Sequence, residues 1–463
     1  MSMRRKFFTA VAVSGLVFAA PALAETIAFT NARVVIGDGN GPIDGGTVIV
    51  RDGRIVAAGA NVTVPADARI VDASGKWVTP GIVAGFSRVG LVEVGAVSET
   101  NDTQANGSPF SAALDIAPAI NPATSAIAVS RAAGVTRAVV APATARSIFA
   151  GQGAFIDLGA DPNPITRARA FQFVELGEEG ARDAGGSRTS AHALFRNALR
   201  EARDFGNRAK IAGGSARGEP LSQGDDLPPD VRMTDTNAER PNDVLLSRFD
   251  AAALVPVVTG RQPLYVHVER ASDIRAVLAL TREFPKLRLV LVGVSEGWLV
   301  ARDIAAAKVP VIASALNDLP AAFETLAATQ SNIGRMKAAG VTVAIGMIND
   351  NDSHQLRYEP QYAGNLVALQ KVPGATGLSW GEAFAAISSV PAEIMGLGNR
   401  IGSLKAGNVG DVVIWDGDPL ELSSAPIAVY IDGVEQPLDN HQTKLRDRYR
   451  TPSEGALPKA YQR

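Results

Sequence analysis

The sequence of 463 residues contains no cysteine and only four histidines, and aromatic residues make up just 6% of it. Without cysteine, the chain has no disulfide framework, no thiolate zinc site and no cysteine nucleophile. A chain of this length can build its core without disulfides. Any metal ion would depend on histidine and carboxylate ligands, and histidine is scarce. The few aromatic residues argue against an aromatic-rich binding surface.

Neither sign of charge dominates, since 45 Lys+Arg stand against 47 Asp+Glu. Basic residues cluster only at the start of the chain and in residues 444–450. Binding to nucleic acid generally requires a basic patch, so we expect no nucleic acid partner. No apolar run after residue 24 reaches the about 20 residues that a transmembrane helix needs, so we expect no membrane span.

The first 24 residues have the three parts of a secretory signal peptide. Residues 4–6 are positively charged, residues 7–20 are apolar, and residues 22–24 read Ala-Leu-Ala, a small-x-small cleavage site. This order of regions is typical of exported proteins, and the apolar part is too short for a comfortable membrane anchor. We predict export with cleavage after Ala24, and a periplasmic location if the source is a Gram-negative bacterium.

Strand-like ends flank a central region in which strands and helices alternate. Residues 25–80 contain short β-rich runs separated by Asp-Gly and Asn-Gly steps, which are typical of hairpins. From residue 79 to about 392, apolar runs such as 264–268 alternate with helical patterns such as 272–283. This alternation predicts a parallel α/β sheet, either an eight-stranded barrel or a doubly wound sheet. No glycine-rich nucleotide fingerprint supports the doubly wound form.

Two segments depart from this alternation. Residues 205–243 are rich in Gly, Pro, Asp, Asn and Arg, and predict a long excursion from the barrel. β-rich runs return at 410–415 and 427–435, and the polar residues 442–463 are expected to be poorly ordered.

Two motifs mark the borders of the central region. Residues 75–81 read Gly-Lys-Trp-Val-Thr-Pro-Gly, and residues 402–419 run from Gly-Ser-Leu-Lys-Ala-Gly to Trp-Asp-Gly-Asp-Pro. They resemble the two junctions of the amidohydrolase superfamily, in particular of imidazolonepropionase-like metal-dependent hydrolases. The resemblance implies an α/β fold. This fold would consist of a (β/α)8 TIM-like barrel and a small composite β-sandwich that is built from both chain ends. With the signal peptide (1–24) predicted above, the chain divides into the β-sandwich (25–80 and 396–440), the barrel (81–395) with its excursion at about 205–243, and a polar tail (441–463).

The resemblance also implies a metal site, and this chain departs from it. The superfamily usually has His-x-His on strand 1, a carboxylated Lys or a Glu on strand 4, His on strands 5 and 6, and an Asp after strand 8. Phe86 and Arg88 occupy the His-x-His positions; the first has no lone pair and the second repels a divalent cation. Val292 and Ile348 fall at the strand-6 and strand-8 positions. The usual dinuclear site is therefore not expected.

Strands 4 and 5 keep possible ligands. His267 matches the strand-5 histidine of the superfamily, where it would line the site, although a lone histidine in a strand is also often a packed core residue. No lysine occurs between residues 76 and 210, which excludes a carboxylated lysine on strand 4. Glu175 or Glu178 could replace it, but both also read as solvent-facing loop carboxylates.

Other candidates follow strand 8. Asp350 or Asp352 could replace the missing aspartate, and His354 could reach the barrel mouth. His192 belongs to a predicted helix and His441 to the tail, so neither is expected at the site.

We therefore predict an exported hydrolase that acts on carbon–nitrogen bonds of a non-peptide or cyclic amide, or of an acyl dipeptide, through a degenerate or single-metal site. The resemblance offers His267, Asp350, His354 and Glu178 as metal ligands, and Asp350 as the base. The cofactor would be one divalent metal ion, zinc or manganese, or none.

Two alternatives remain open. The barrel could be catalytically inactive, binding a small amide-like ligand or supporting an active amidohydrolase subunit, as a homo-oligomer or a paired complex. Arg88 and His267 would then bind the ligand, since a guanidinium can hold a carboxylate bidentately; a structural salt bridge is the other interpretation of Arg88. The second alternative is metal-free hydrolysis by Asp350 or Glu175 with water.

Overall fold

The structure is a computed structural model that describes residues 25–211, 245–315, 317–348 and 353–450. The predicted signal peptide, most of the predicted excursion, and the candidates Asp350 and Asp352 lie outside these residues. Within the described ranges, no helix is long and apolar enough to cross a membrane.

The strands form two sheets of eight strands each. The first five strands are β1 (Thr26–Val34), β2 (Ile43–Arg51), β3 (Arg54–Gly59), β4 (Arg69–Asp72) and β5 (Trp77–Pro80). The middle eight are β6 (Ile82–Ser87), β7 (Val135–Val140), β8 (Phe149–Asp157), β9 (Ile165–Glu175), β10 (Leu264–Val268), β11 (Leu289–Gly293), β12 (Val311–Ala313) and β13 (Val343–Ile345). The last three are β14 (Val412–Trp415), β15 (Pro426–Ile431) and β16 (Val434–Glu435).

Both chain ends join in one sheet, with the order β16-β15-β14-β5-β1-β2-β3 and β4 paired to β1. β14 runs antiparallel to β5 and places Ile414 opposite Val78. The core of this sheet also combines both ends, since the rings of Phe29 and Tyr430 lie 5.1 Å apart. The N-terminal strands alone would bury too little apolar surface to be stable, and the C-terminal strands complete the core. The predicted β-rich domain built from both ends is confirmed.

The second sheet follows chain order, from β6 to β13, and is nearly closed. The N–H of Met347, just after β13, donates a hydrogen bond of 2.9 Å to the carbonyl of Phe86 in β6, which brings the first and last strands together. The predicted TIM-like barrel is confirmed.

One strand differs from the expected parallel sheet, because β8 runs antiparallel to both β7 and β9. The connections 141–148 and 158–164 contain no helix. Parallel neighbours need a crossover of a dozen or more residues, whereas antiparallel neighbours accept short links. The short links on both sides of β8 therefore reverse its direction.

Apolar side chains fill the barrel interior. Phe86, Phe173, Tyr265 and Val292 are each at most 2% exposed and belong to one buried cluster. The rings of Phe171 and Tyr265 stack at 4.1 Å between centroids. The barrel is thus a packed core, and polar chemistry is confined to its ends.

The α-helices of the described ranges are α1 (Ser125–Ala132), α2 (Glu178–Asp183), α3 (Arg188–Ile211), α4 (Arg248–Val258), α5 (Ala271–Glu283), α6 (Ala301–Ala307), α7 (Asn332–Ala338), α8 (Glu359–Ala368), α9 (Trp380–Ala385), α10 (Ser389–Ile394) and α11 (His441–Tyr449). α5 shows why they form: Ile274, Val277 and Leu278 recur at helical spacing and are buried. α11 corrects the expectation of poor order for residues 442–449, because Asn440 caps this helix by accepting the N–H groups of Gln442 and Thr443. Residues 451–463 of the predicted tail lie outside the described residues.

A buried arginine joins the barrel to the β-rich domain. Arg137 of β7 lies 2.7 Å from Asp411 and 2.8 Å from Asp432, both in the C-terminal segment. Burial alone would lower the pKa of Arg137, but these carboxylates outweigh that effect and raise it. The arginine therefore stays charged and fixes the two parts together.

Candidate functional site: a histidine among buried carboxylates

Ionisable side chains gather where β9 and β10 end. Glu175 is the last residue of β9 and lies opposite His267 in the neighbouring β10. Glu269 follows His267 by two residues. The carboxyl ends of barrel strands are the usual place for active sites, because several strands deliver side chains there.

His267 is held between two carboxylates. Its Nδ1 lies 2.8 Å from Oε1 of Glu175, and its Nε2 lies 2.9 Å from Oε1 of Glu269. Glu175 also accepts the N–H of Gly177 at 2.7 Å, and Glu269 accepts the N–H of Ser295 at 2.6 Å. The side chains of both glutamates are 9% exposed and that of His267 is 17% exposed. The three groups therefore interact with little competition from water.

The carboxylates determine the charge of His267. Burial by itself would lower the pKa of the imidazole, but Glu175 and Glu269 raise it well above its ordinary value. Burial would likewise raise the pKa of Glu269, but His267 and Ser295 outweigh it and lower that pKa. An imidazolium between carboxylates is thus the favoured state at neutral pH.

A third carboxyl group comes from the turn after β12. Glu324 lies in a 3-10 turn (Phe323–Thr325), and its Oε2 accepts hydrogen bonds from Nη2 of Arg188 at 2.9 Å and from the N–H of Glu178 at 2.7 Å. Arg188 begins α3 and also donates to Asp273 of α5 at 3.0 Å. Two elements, α2 and α3, therefore hold Glu324 directly, and Asp273 of α5 holds Arg188 in turn.

The pKa of Glu324 is shifted in the opposite direction to that of Glu269. Burial raises its pKa, and although His267 lowers it, Glu269 and Glu175 add to the rise. Gly177 separates Glu324 from Glu175: a Cβ there would lie 2.8 Å from Oε1 of each. A carboxyl group with a raised pKa therefore lies close to Glu175 and His267. We call Glu175, His267, Glu269 and Glu324 the carboxylate–imidazole group.

The structure divides the predicted site residues between two places. His267 and Glu178 lie near each other, because the backbone N–H of Glu178 donates to Glu324; the side chain of Glu178 itself is 3.7 Å from Arg188. Arg88 belongs to the second place, because it follows β6, and β6 is four strands away from β10 in the sheet order. The backbone N–H of Arg88 donates to the carbonyl of Ser353, the residue before His354.

One further predicted site residue cannot be placed, and two histidines expected to lie elsewhere do so. Asp350 lies outside the described residues. His192 is in α3, with Nε2 3.4 Å from Asp273, and His441 is exposed at the start of α11.

Sequence reasoning missed part of the carboxylate–imidazole group. Glu175 is buried, which corrects its interpretation as a solvent-facing loop carboxylate. Glu269 could have been found, since it stands two residues after His267 and alternate strand residues share a face. No pattern in the sequence identifies Glu324, because it lies in an irregular loop and reaches the group only through the tertiary fold.

Comparisons with known proteins point to one class of enzyme. A profile of the amidohydrolase family matches residues 268–435. The amidohydrolase tasK of Hapsidospora irregularis is 26% identical over 422 residues, 84% of this chain but only 40% of that protein. The imidazolonepropionase of Maricaulis maris is 24% identical over 84% of this chain and 92% of its own length. The crystal structure of an amidohydrolase from Thermotoga maritima covers 88% of this chain and 99% of its own, with 25% identity and a TM-score of 0.74.

These matches support a relationship between this chain and the amidohydrolase superfamily. Members of that superfamily are generally metal-dependent, but the side chains at several of the implied ligand positions of this chain differ from metal ligands. Phe86, Val292 and Ile348 pack in or against the apolar interior and carry no donor atom, and Phe86 lies 5.4 Å from Phe173, measured between ring centroids. Both nitrogens of His267 face carboxylates. These residues do not fit the metal centre of the superfamily, and in the described parts of the chain no three His, Asp or Glu are placed to hold a metal ion.

Proposed function

We propose that this chain is an exported hydrolase of carbon–nitrogen bonds in a small amide-like substrate, with a degenerate site that works through the carboxylate–imidazole group. Similarity to amidohydrolases supports the reaction class. One observation carries the proposal: His267 keeps the strand-5 position of the superfamily and is enclosed by ionised carboxylates, next to a carboxyl whose pKa is raised. The charged, apolar and small-residue order of residues 1–24 supports export.

The chemistry follows from the different states of the carboxyl groups. In the proposed reaction, Glu175 accepts a proton from the water that attacks the carbonyl carbon. Glu324 gives its proton to the departing nitrogen, which then leaves as a neutral amine. His267 acts as a positioning residue, because it holds Glu175 and Glu269 and balances their charge. The raised pKa of Glu324 suits the role of a proton donor, and the position of Glu175 beside it suits the role of a proton acceptor.

The proposal is tested with the mature chain on a panel of cyclic amides and N-acyl dipeptides. Each assay is run with a chelator and again after loading with zinc or manganese. We expect turnover that is insensitive to the chelator and falls by about 100-fold or more in Glu175→Gln and Glu324→Gln, as loss of a general acid or base predicts. The matched control is Glu421→Gln, because Glu421 is exposed. Turnover that appears only with added metal would contradict the proposal.

A second candidate function is binding without turnover, alone or beside an active subunit. The specific observation in its favour is the apolar character of Phe86, Val292 and Ile348, which replace three metal-ligand positions. Metal content after purification without chelator, and again after loading, separates the possibilities. About one ion per chain, lost in Asp350→Ala and His267→Ala, would favour a single-metal hydrolase. No bound ion and no turnover, with retained binding of an amide-like ligand, would favour the second candidate.

A further inference from the structure

A cavity of about 380 Å³ lies between the loops 105–111 and 143–147 and the helices α3 and α4. This volume is within the range of about 300–1,000 Å³ that is typical of small-molecule sites. Phe110, Phe149 and Leu194 contribute apolar walls, and Arg146 is the only cationic residue of the lining.

The cavity is separate from the carboxylate–imidazole group because the two lie on different faces of the barrel sheet. Phe149, at the start of β8, points outward and contacts Phe195 of α3 at 6.2 Å between centroids. Glu175 and His267 each follow an interior-facing residue, Phe173 or Tyr265, by two positions, and therefore share the interior face of the sheet. A ligand in the cavity would therefore lie between the sheet and its helices.

The lining of the cavity contains two charged residues, Arg146 and Asp250. Both carboxylate oxygens of Asp250 already accept hydrogen bonds within the protein. Oδ1 accepts the N–H groups of Ser111 and Ala113, each at 2.9 Å, and Oδ2 accepts the hydroxyl of Ser247 at 2.7 Å. Arg146 forms no salt bridge with any residue in the described ranges. A guanidinium with no acidic partner beside an apolar wall favours a ligand that carries a carboxylate.

The rim of the cavity is unusually apolar for a protein surface. Phe110 is 39% exposed, Leu245 is 50% exposed and Phe249 is 41% exposed, and the rings of Phe110 and Phe249 meet edge to face at 5.2 Å. Clustered exposed apolar side chains often mark binding sites. The rim extends the apolar wall toward solvent, so it can contact the part of a ligand that projects from the cavity.

We propose that this cavity is a second ligand site, which binds a small organic acid with an aromatic or aliphatic body. Arg146 holds the carboxylate, and Phe110 and Phe149 contact the body. The site is independent of the reaction proposed above, because its residues take no part in the carboxylate–imidazole group.

The test is calorimetric titration of the full mature chain with 4-phenylbutyrate, its neutral amide 4-phenylbutyramide, and acetate. We expect 4-phenylbutyrate to bind at least tenfold more tightly than either other compound, because only it offers both groups. Arg146→Gln should weaken it by at least tenfold, with Arg146→Lys intermediate, since lysine keeps the charge but loses the bidentate fork. Leu194→Phe, which fills the cavity from α3, should weaken it as well.

Glu324→Gln is the control, and it should leave the affinity for 4-phenylbutyrate unchanged. This control separates the two proposals, because Glu324→Gln should abolish turnover and spare binding. Equal affinity for acid and amide, affinity that survives both Arg146→Gln and Leu194→Phe, or no binding at all would each overturn the second site. If Glu324→Gln weakened the binding of 4-phenylbutyrate as much as Arg146→Gln does, the ligand would lie at the barrel mouth, and the second site would be overturned as well.

Discussion

Replacing His267 by glutamine removes the one cation that the carboxylate–imidazole group places between Glu175 and Glu269. Both nitrogens of the imidazole lie within 2.9 Å of a carboxylate oxygen. A glutamine amide can donate hydrogen bonds but cannot balance two negative charges. His267→Gln would therefore leave two buried carboxylates uncompensated, with the carboxyl of Glu324 nearby.

The expected cost is large relative to the stability of a typical protein. Unit charges about 4 Å apart attract by about 4 kcal/mol at an effective dielectric constant of about 20, and desolvation offsets part of this. Removal of one partner from a buried ion pair costs about 3–5 kcal/mol. We expect His267→Gln to lower the free energy of unfolding by an amount in that range, out of about 5–15 kcal/mol for a native protein.

The assay is urea-induced unfolding followed by the fluorescence of the four tryptophans. The matched control is His441→Gln, at an exposed position, which should cost less than about 0.5 kcal/mol. The double variant His267→Gln/Glu269→Gln should recover at least about 1 kcal/mol of the loss, because it removes one of the stranded charges. If His267→Gln costs no more than its control, the imidazole does not balance these carboxylates and the proposed site is wrong.

Further predictions concern pH, the interdomain contact and the site glycine. Because the folded-state pKa of His267 is raised, its contribution to stability is fully present below about pH 6.5 and is lost as pH rises through the folded value. In urea titrations, the free energy of unfolding of the wild type should therefore fall at alkaline pH, and that of His267→Gln should not show this fall. Turnover should fall as pH rises through the raised pKa of Glu324, measured as a pH–rate profile. Arg137→Ala should cost about 3–5 kcal/mol in urea unfolding, because it leaves Asp411 buried without its cation. Gly177→Ala should reduce turnover at least tenfold but stability by only about 1 kcal/mol, since its Cβ displaces only the ends of two glutamate side chains.

The elements that the sequence predicted well have strong local patterns. Strand β10 is predicted to the residue, because its apolar run is bounded clearly, and α5 begins one residue before its predicted start. The motifs at 75–81 and 402–419 predict that the chain ends meet, and β5 does pair with β14. In these cases the deciding information is local or belongs to a specific motif.

The features that the sequence did not predict depend on tertiary contacts. The direction of β8 follows from the short links on either side, which periodicity does not report. Glu324 reaches the carboxylate–imidazole group only because Arg188, from α3, holds it there. The burial of Glu175 depends on the neighbouring strand β10, whereas its sequence context suggests a loop.

The pairing of β5 with β14 has a consequence for how the chain folds during synthesis. Trp77 lies opposite Trp415 in this pair, so one edge of β5 has no partner until most of the chain has been made. At a synthesis rate of about 5–20 residues per second, that edge waits for tens of seconds. An open strand edge of this kind can pair with other chains. The N-terminal strands should therefore depend on chaperones, or on delayed folding, until the last strands emerge.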